Sequence, residues 1–171
     1  RKDTRAVSRV IVNSTPLIAL SIVGRLDLLR TMFDEVIVAD SVYQETVMQG
    51  QGKPGANELE RADWIQVRIP HAQSALPPAL LGLDPGELDT ILLAQELQAD
   101  WVLIDEKLGR RVAQALGVPV QGTLGILLAA YHTAQLTRED AEAAVRTLRH
   151  STVRLSSQLL DWFIVQLDQE E

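Results

Sequence analysis

The sequence predicts an α/β fold on a parallel sheet, and three observations carry that expectation. Short solid apolar runs at Val10-Ile11-Val12, Val36-Ile37-Val38 and Trp101-Val102-Leu103-Ile104 read as strands covered on both faces. Segments with helix-start signals lie between them, so strands and helices alternate as they do around right-handed crossovers. Acids stand where strands end and helices begin, and in open α/β sheets the site lies beyond the strands' carboxyl ends.

Residues 1–9 are a polar, partly basic lead-in without periodicity. The first strand breaks at Asn13-Ser14-Thr15-Pro16, where three cap-competent residues precede a proline suited to a helix's first turn. The helix runs on through LIALSIVGRLDLL, with Gly24 allowing a turn into a second short helix. After Val38, Asp40 and Ser41 are positioned to cap SVYQETVM, which carries Glu45. GQGKPGANEL is a Gly- and Pro-rich loop, followed by a short helix NELERADW and a strand over 65–69. Residues 71–78 read as a Pro-containing linker.

Leu83 to Arg111 is the organising stretch: helix, turn, buried strand, helix. Asp84 is a good N-cap, Pro85 suits the first helical position, and Glu87 falls where a capping box wants an acid. Asp105 and Glu106 end the strand, and KLGRRVAQALG reads as an amphipathic helix closed by Gly117. Pro119 places Val118–Val120 at a sheet edge. Gly122 and Thr123 open TLGILLAAYHTAQ, and Leu136 to Asp140 begin another helix. Two units are expected, a domain over 9–150 and a strand-and-helix extension over 151–171 that packs on it.

Composition narrows the classes. A chain of 171 residues with 46% hydrophobic and 23% charged residues is ordinary for a soluble globular protein. The absence of cysteine excludes disulfides, thiolate metal sites and a Cys nucleophile. No apolar run reaches the ~18 residues of a membrane span, and nothing resembles a signal peptide, so no membrane partner and a cytoplasmic location are expected. The chain does not start with Met, so Arg1 is not expected to be the native start. A net charge of −7 argues against a protein that merely coats nucleic acid, yet permits an enzyme with a local basic patch.

Asn13, Glu45, Asp89 and Asp105 each fall near a strand's carboxyl end or a helix's first turns, so the fold can bring them to one cleft. Clustered carboxylates repel unless a cation sits among them, and oxygen ligands suit Mg²⁺ or Mn²⁺. Such a site serves phosphodiester cleavage. The plainer reading of a helix-start acid is that it complements the macrodipole. For Glu87 the capping role is taken as sufficient. Because Glu87 and Asp89 lie about 200° apart around a helix, only one can enter the cleft, and Asp89 is chosen. Lys107, Arg110 and Arg111 share one helix face beside Asp105, either as a phosphate grip or as a solvated surface. His71, His132 and His150 have no partner at ligand spacing, and no GxSxG, GxGxxG or P-loop is present. Trp64, Trp101 and Trp162 read as core.

Taken in order, VNSTPLIAL, SVYQETV, LDPGELDTILLAQEL, VLIDEKLGRRVAQALGV and GTLGILLAA resemble the PIN-domain superfamily over roughly residues 9–135, in its prokaryotic branch related to VapC-type toxins. The resemblance implies a three-layer α/β/α fold with about five parallel strands ordered 3-2-1-4-5. It places the family's four acidic positions on Asn13, Glu45, Asp89 and Asp105, with Glu106 as an accessory ligand and Ser14 as the small hydroxyl beside the first acid. It implies a ribonuclease that uses Mg²⁺ or Mn²⁺, with RNA as substrate, an antitoxin as protein partner, and a homodimer. One departure stands out: the first acid is an asparagine, which supplies an oxygen but no charge. The alternative is therefore an inactive PIN-like module that binds RNA or a protein.

Overall fold

The computed structural model describes residues 7–71 and 82–169. Most of the lead-in and most of the expected 71–78 linker lie outside the described residues. Five strands form one parallel sheet in the order β3-β2-β1-β4-β5: β1 (Arg9–Val12), β2 (Glu35–Ala39), β3 (Ile65–Arg68), β4 (Trp101–Leu103) and β5 (Val120–Gln121). Val10 is in register with Val36, Ile11 with Val102, and Val102 with Val120. Successive strand residues face opposite sides. Val10, Ile11 and Val12 are nevertheless all fully buried, so helices cover both faces of the sheet.

Between the strands run α1 (Ser14–Ile22), α2 (Leu28–Met32), α3 (Asp40–Tyr43), α4 (Ala56–Arg61), α5 (Pro85–Glu96) and α6 (Lys107–Ala115). The chain closes with α7 (Thr123–His132), α8 (Arg138–Arg149) and α9 (Ser157–Leu167). α5 packs on β1, β2 and β4 through Ile91 and Leu93. α9 packs on α7 and α8, burying Leu160, Phe163 and Leu167. Among the described residues, no helix is long and apolar enough to cross a membrane.

Local chemistry explains most boundaries. Asp84 caps α5, its Oδ1 accepting from the Glu87 backbone N–H at 2.8 Å. Thr137 and Asp140 close a full capping box on α8. Gly117, at φ +74°, takes the left-handed turn that ends α6. Three expectations are corrected. Ala39, not Asp40 or Ser41, holds the cap position of α3, because helical geometry already begins at Asp40. That helix widens into a π-helical turn over Gln44–Met48, with Gln49 N–H donating to the Gln44 carbonyl at 2.8 Å. Residues 151–156 form no strand, so the C-terminal piece enters α9 directly, capped by Ser156.

Candidate active site

The carboxyl ends of β1 and β4 lie side by side and fix the first two residues of the site. Asn13 continues the β1 ladder by one step, its backbone N–H donating to the Leu103 carbonyl at 3.0 Å. Its side chain is buried, and its Nδ2 donates to Glu106 Oε2 at 3.4 Å. The other Glu106 oxygen accepts from the Thr15 hydroxyl. Asn13 Oδ1 is buried without a hydrogen-bond partner. An orphaned buried acceptor costs about 1–3 kcal/mol, and such atoms mark places where a missing ion or donor belongs.

Around this corner the acids crowd. Glu87 is only 8% exposed. Burial, a hydrogen bond from its carboxyl to Asp84, and the negative charges of Asp84, Glu106 and Glu45 push its pKa up to about 8. Glu45, on the π-helical turn, is also raised, by burial and then by Asp84 and Glu106. One glycine eases this approach. A Cβ on Gly109 would stand 3.2 Å from Glu87 Oε2 and only 2.9 Å from Ile104 Cγ2. The result is a crowd of four carboxyls, Glu45, Asp84, Glu87 and Glu106, the last of them bonded to the Asn13 amide.

Asp89 and Glu87, the two acids weighed on α5, have different settings. The Asp89 carboxylate accepts from the Ser41 hydroxyl of α3 at 2.7 Å, and the charges acting on Glu45 and Glu87 come from other acids. Capping needs only the Glu87 backbone N–H and the Asp84 side chain. The Glu87 carboxyl stays free to turn inward.

Asp105 occupies a different setting, one residue from Glu106. Both its oxygens are held by Thr123, Oδ1 by the backbone N–H at 2.8 Å and Oδ2 by the hydroxyl at 2.6 Å. Burial raises its pKa against the pull of those two donors, Glu106 adds to the rise, and Arg110 opposes it. Gly122 makes room: a Cβ there would meet Asp105 Oδ1 at 2.7 Å and Arg110 Nη1 at 3.0 Å. The structure therefore sets Asp105 toward the β5–α7 junction, with Glu106 as its link to the crowded corner.

The cations divide. Lys107 and Arg110 line a cavity of about 720 Å³ together with Asp105, and Arg110 Nη1 donates to the Ile104 carbonyl at 3.1 Å. Arg111 is exposed and does not line it. Ser14 opens α1 beside Asn13, and among the described residues its hydroxyl takes no partner; the hydroxyl that reaches Glu106 is that of Thr15. A second cavity of about 400 Å³ lies on the far side of Glu106, between Thr15 and Arg154. Sequence reading missed Thr15, Thr123 and Glu87 as site residues. It also took Trp162 as core, where it is exposed. Among the described residues, no three acids or histidines already stand at metal-cage spacing.

Three comparisons bear on this geometry. A family model described as PIN domain matches residues 9–169. A PilT N-terminus domain protein from the hyperthermophilic archaeon Sulfolobus solfataricus P2 shares the fold, with a TM-score of 0.53 at 20% identity over 71% of this chain and 92% of that one. No curated protein matches. PIN domains as a group are nuclease-type, generally dependent on divalent metals and associated with nucleic acid, and the acidic corner occupies the carboxyl edge of the sheet where this chain's chemistry is concentrated. The chain belongs to the PIN-domain family.

Proposed function

We propose that the chain is a ribonuclease dependent on Mg²⁺ or Mn²⁺, acting as the toxin of a toxin–antitoxin pair in the cytoplasm. The observation that carries the reading is the buried Oδ1 of Asn13, unpartnered among the described residues, on a side chain whose Nδ2 donates to Glu106 within a crowd of carboxyls. The donor chemistry suits a hard divalent cation: every group is an oxygen, and among the described residues none of these carboxyls is in a salt bridge. Glu106, Glu87, Glu45 and Asn13 would hold it, with Asp84 and Asp105 adjoining. Such a cation supplies Lewis-acid polarisation of a phosphodiester and activation of water.

The chain's own residues do the rest. Thr15 fixes the rotamer of Glu106, and the Asp84 cap sets the start of α5 from which Glu87 turns inward. Lys107 and Arg110 hold the strand's phosphates beside Asp105, and Ser14, at the start of α1, is proposed as a further RNA contact. An antitoxin and a second copy of the chain are the proposed protein partners.

Labelled single-stranded RNA with Mn²⁺ tests this. Wild type should cleave, chelator should stop cleavage, and Glu106→Gln should lower the rate about 100-fold or more, the upper end of what even an outer partner of a bound metal is worth. Asp105→Ala should also lose activity. Cleavage that persists in both Glu106→Gln and Glu87→Gln would displace the assigned corner. A wild type that binds RNA without cutting, and gains cleavage on Asn13→Asp, identifies the alternative: a module disabled by its neutral oxygen. A toxin should arrest growth of its host when induced without its antitoxin.

A further inference from the structure

Beside the acidic corner lies a feature that metal chemistry does not use. The 720 Å³ cavity that Lys107 and Arg110 line has its opposite wall on α9, where Gln158, Leu159 and Trp162 face it. Trp162 is 45% exposed and Leu159 48%, although Trp is the costliest side chain to leave in water. Among the described residues the Trp162 ring has no aromatic or cationic partner. Asp105 also lines the pocket, with both its oxygens held by Thr123. An indole face and two cations thus share one pocket, of a size that suits small ligands.

We infer that this pocket holds one unpaired nucleotide of a single-stranded nucleic acid, its base stacked on Trp162 and its phosphate against Lys107 and Arg110. The inference rests on the nuclease reading and extends it by naming the strand's form. Charge complementarity selects the occupant. An apolar helix from a protein would cover Leu159 and Trp162 but leave Lys107 without compensation, whereas a nucleotide presents a π-face and an anion together. A base within a duplex has both faces covered by its neighbours, so the pocket selects single strands.

The test is anisotropy in chelator, so that no strand is cut, with a labelled ten-nucleotide oligouridylate, the same length of abasic ribose–phosphate, and a duplex. Trp162→Ala should bind oligouridylate about 5- to 100-fold more weakly, the range for losing one base stack, and Trp162→Phe should recover most of it. The abasic strand should respond little to Trp162→Ala, while Lys107→Glu with Arg110→Glu weakens both strands. If Trp162→Ala binds oligouridylate as wild type does while the charge reversal still weakens it, the base pocket is wrong and the nucleic-acid reading stands. If wild type binds neither strand, both readings fall. If Trp162→Ala instead converts a sedimenting dimer to monomer, the face joins two copies of the chain and the nucleotide assignment fails.

Discussion

Asp105 and Glu87 are two carboxyls withdrawn from water on adjoining parts of one cleft, and burial raises the pKa of each. Their neighbours act in opposite senses. Asp105 receives two hydrogen bonds from Thr123 and lies near Arg110, so its charge is compensated by the protein. Glu87 faces Asp84, Glu106 and Glu45 and keeps its proton up to about pH 8. The difference shows which part of an acidic cleft is self-sufficient. A carboxylate with its donors in place is structural whatever else it does, while one surrounded by its own kind asks for a cation or a proton. Counting acids along a chain does not separate the two, since hydroxyl and amide partners decide.

The largest way to break this contrast is pH. In the metal-free protein, folded Glu87 holds its proton up to about pH 8, while the unfolded chain releases it near 4.5. Between those values the folded state binds the extra proton, so this stability is complete below pH 4.5 and is lost as pH rises to about 8. Glu45 and Asp105 shift in the same direction. Urea midpoints of wild type should fall across that window, and Glu87→Gln should make the fall shallower throughout it. Saturating Mn²⁺ should flatten the wild-type profile. A profile equally steep in Glu87→Gln would show that Glu87 is not the crowded group.

On the compensated side, Thr123→Val removes a donor from a buried carboxylate and should cost about 1–3 kcal/mol in urea unfolding. Combining it with Asp105→Asn should cost less than the sum of the two single variants. Strict additivity would mean that the Thr123–Asp105 contact does not hold this side together. The smallest effect concerns charge. Lys107→Glu should flatten the slope of log RNA affinity against log salt by about 0.7 for its one phosphate, whereas Arg111→Glu, outside the cavity, should leave the slope unchanged. Equal flattening by both would extend the phosphate track along the whole helix face.

How much of this was legible beforehand depended on how local the cause was. Val10–Val12 and Val36–Val38 announced themselves, since a strand buried on both faces has no polar position to blur its pattern. Asp84 announced the start of α5 because capping is settled within four residues. Glu87 did not, because its role depends on Glu45 and Glu106, which come from other elements. Thr123 meets Asp105 eighteen residues away along the chain, with no spacing rule to betray it. Trp162 looked apolar and therefore buried, but α9 turns Phe163 inward and leaves its neighbour outside. The π-helical turn under Glu45 has no signature in residue type at all.

Asn13 has a consequence in the currency of heredity. Its backbone is pinned on both sides, its N–H to Leu103 and its carbonyl to the Leu17 N–H of α1. The main chain there is settled by the sheet and the helix, whatever the side chain carries. Asparagine and aspartate are nearly the same shape, and their codons differ by a single nucleotide. A lineage can therefore add or remove one negative charge at the mouth of β1 in one mutational step, exchanging the amide that donates to Glu106 for a second carboxylate. On the toxin reading proposed above, that position is a dial on potency which selection can turn in either direction.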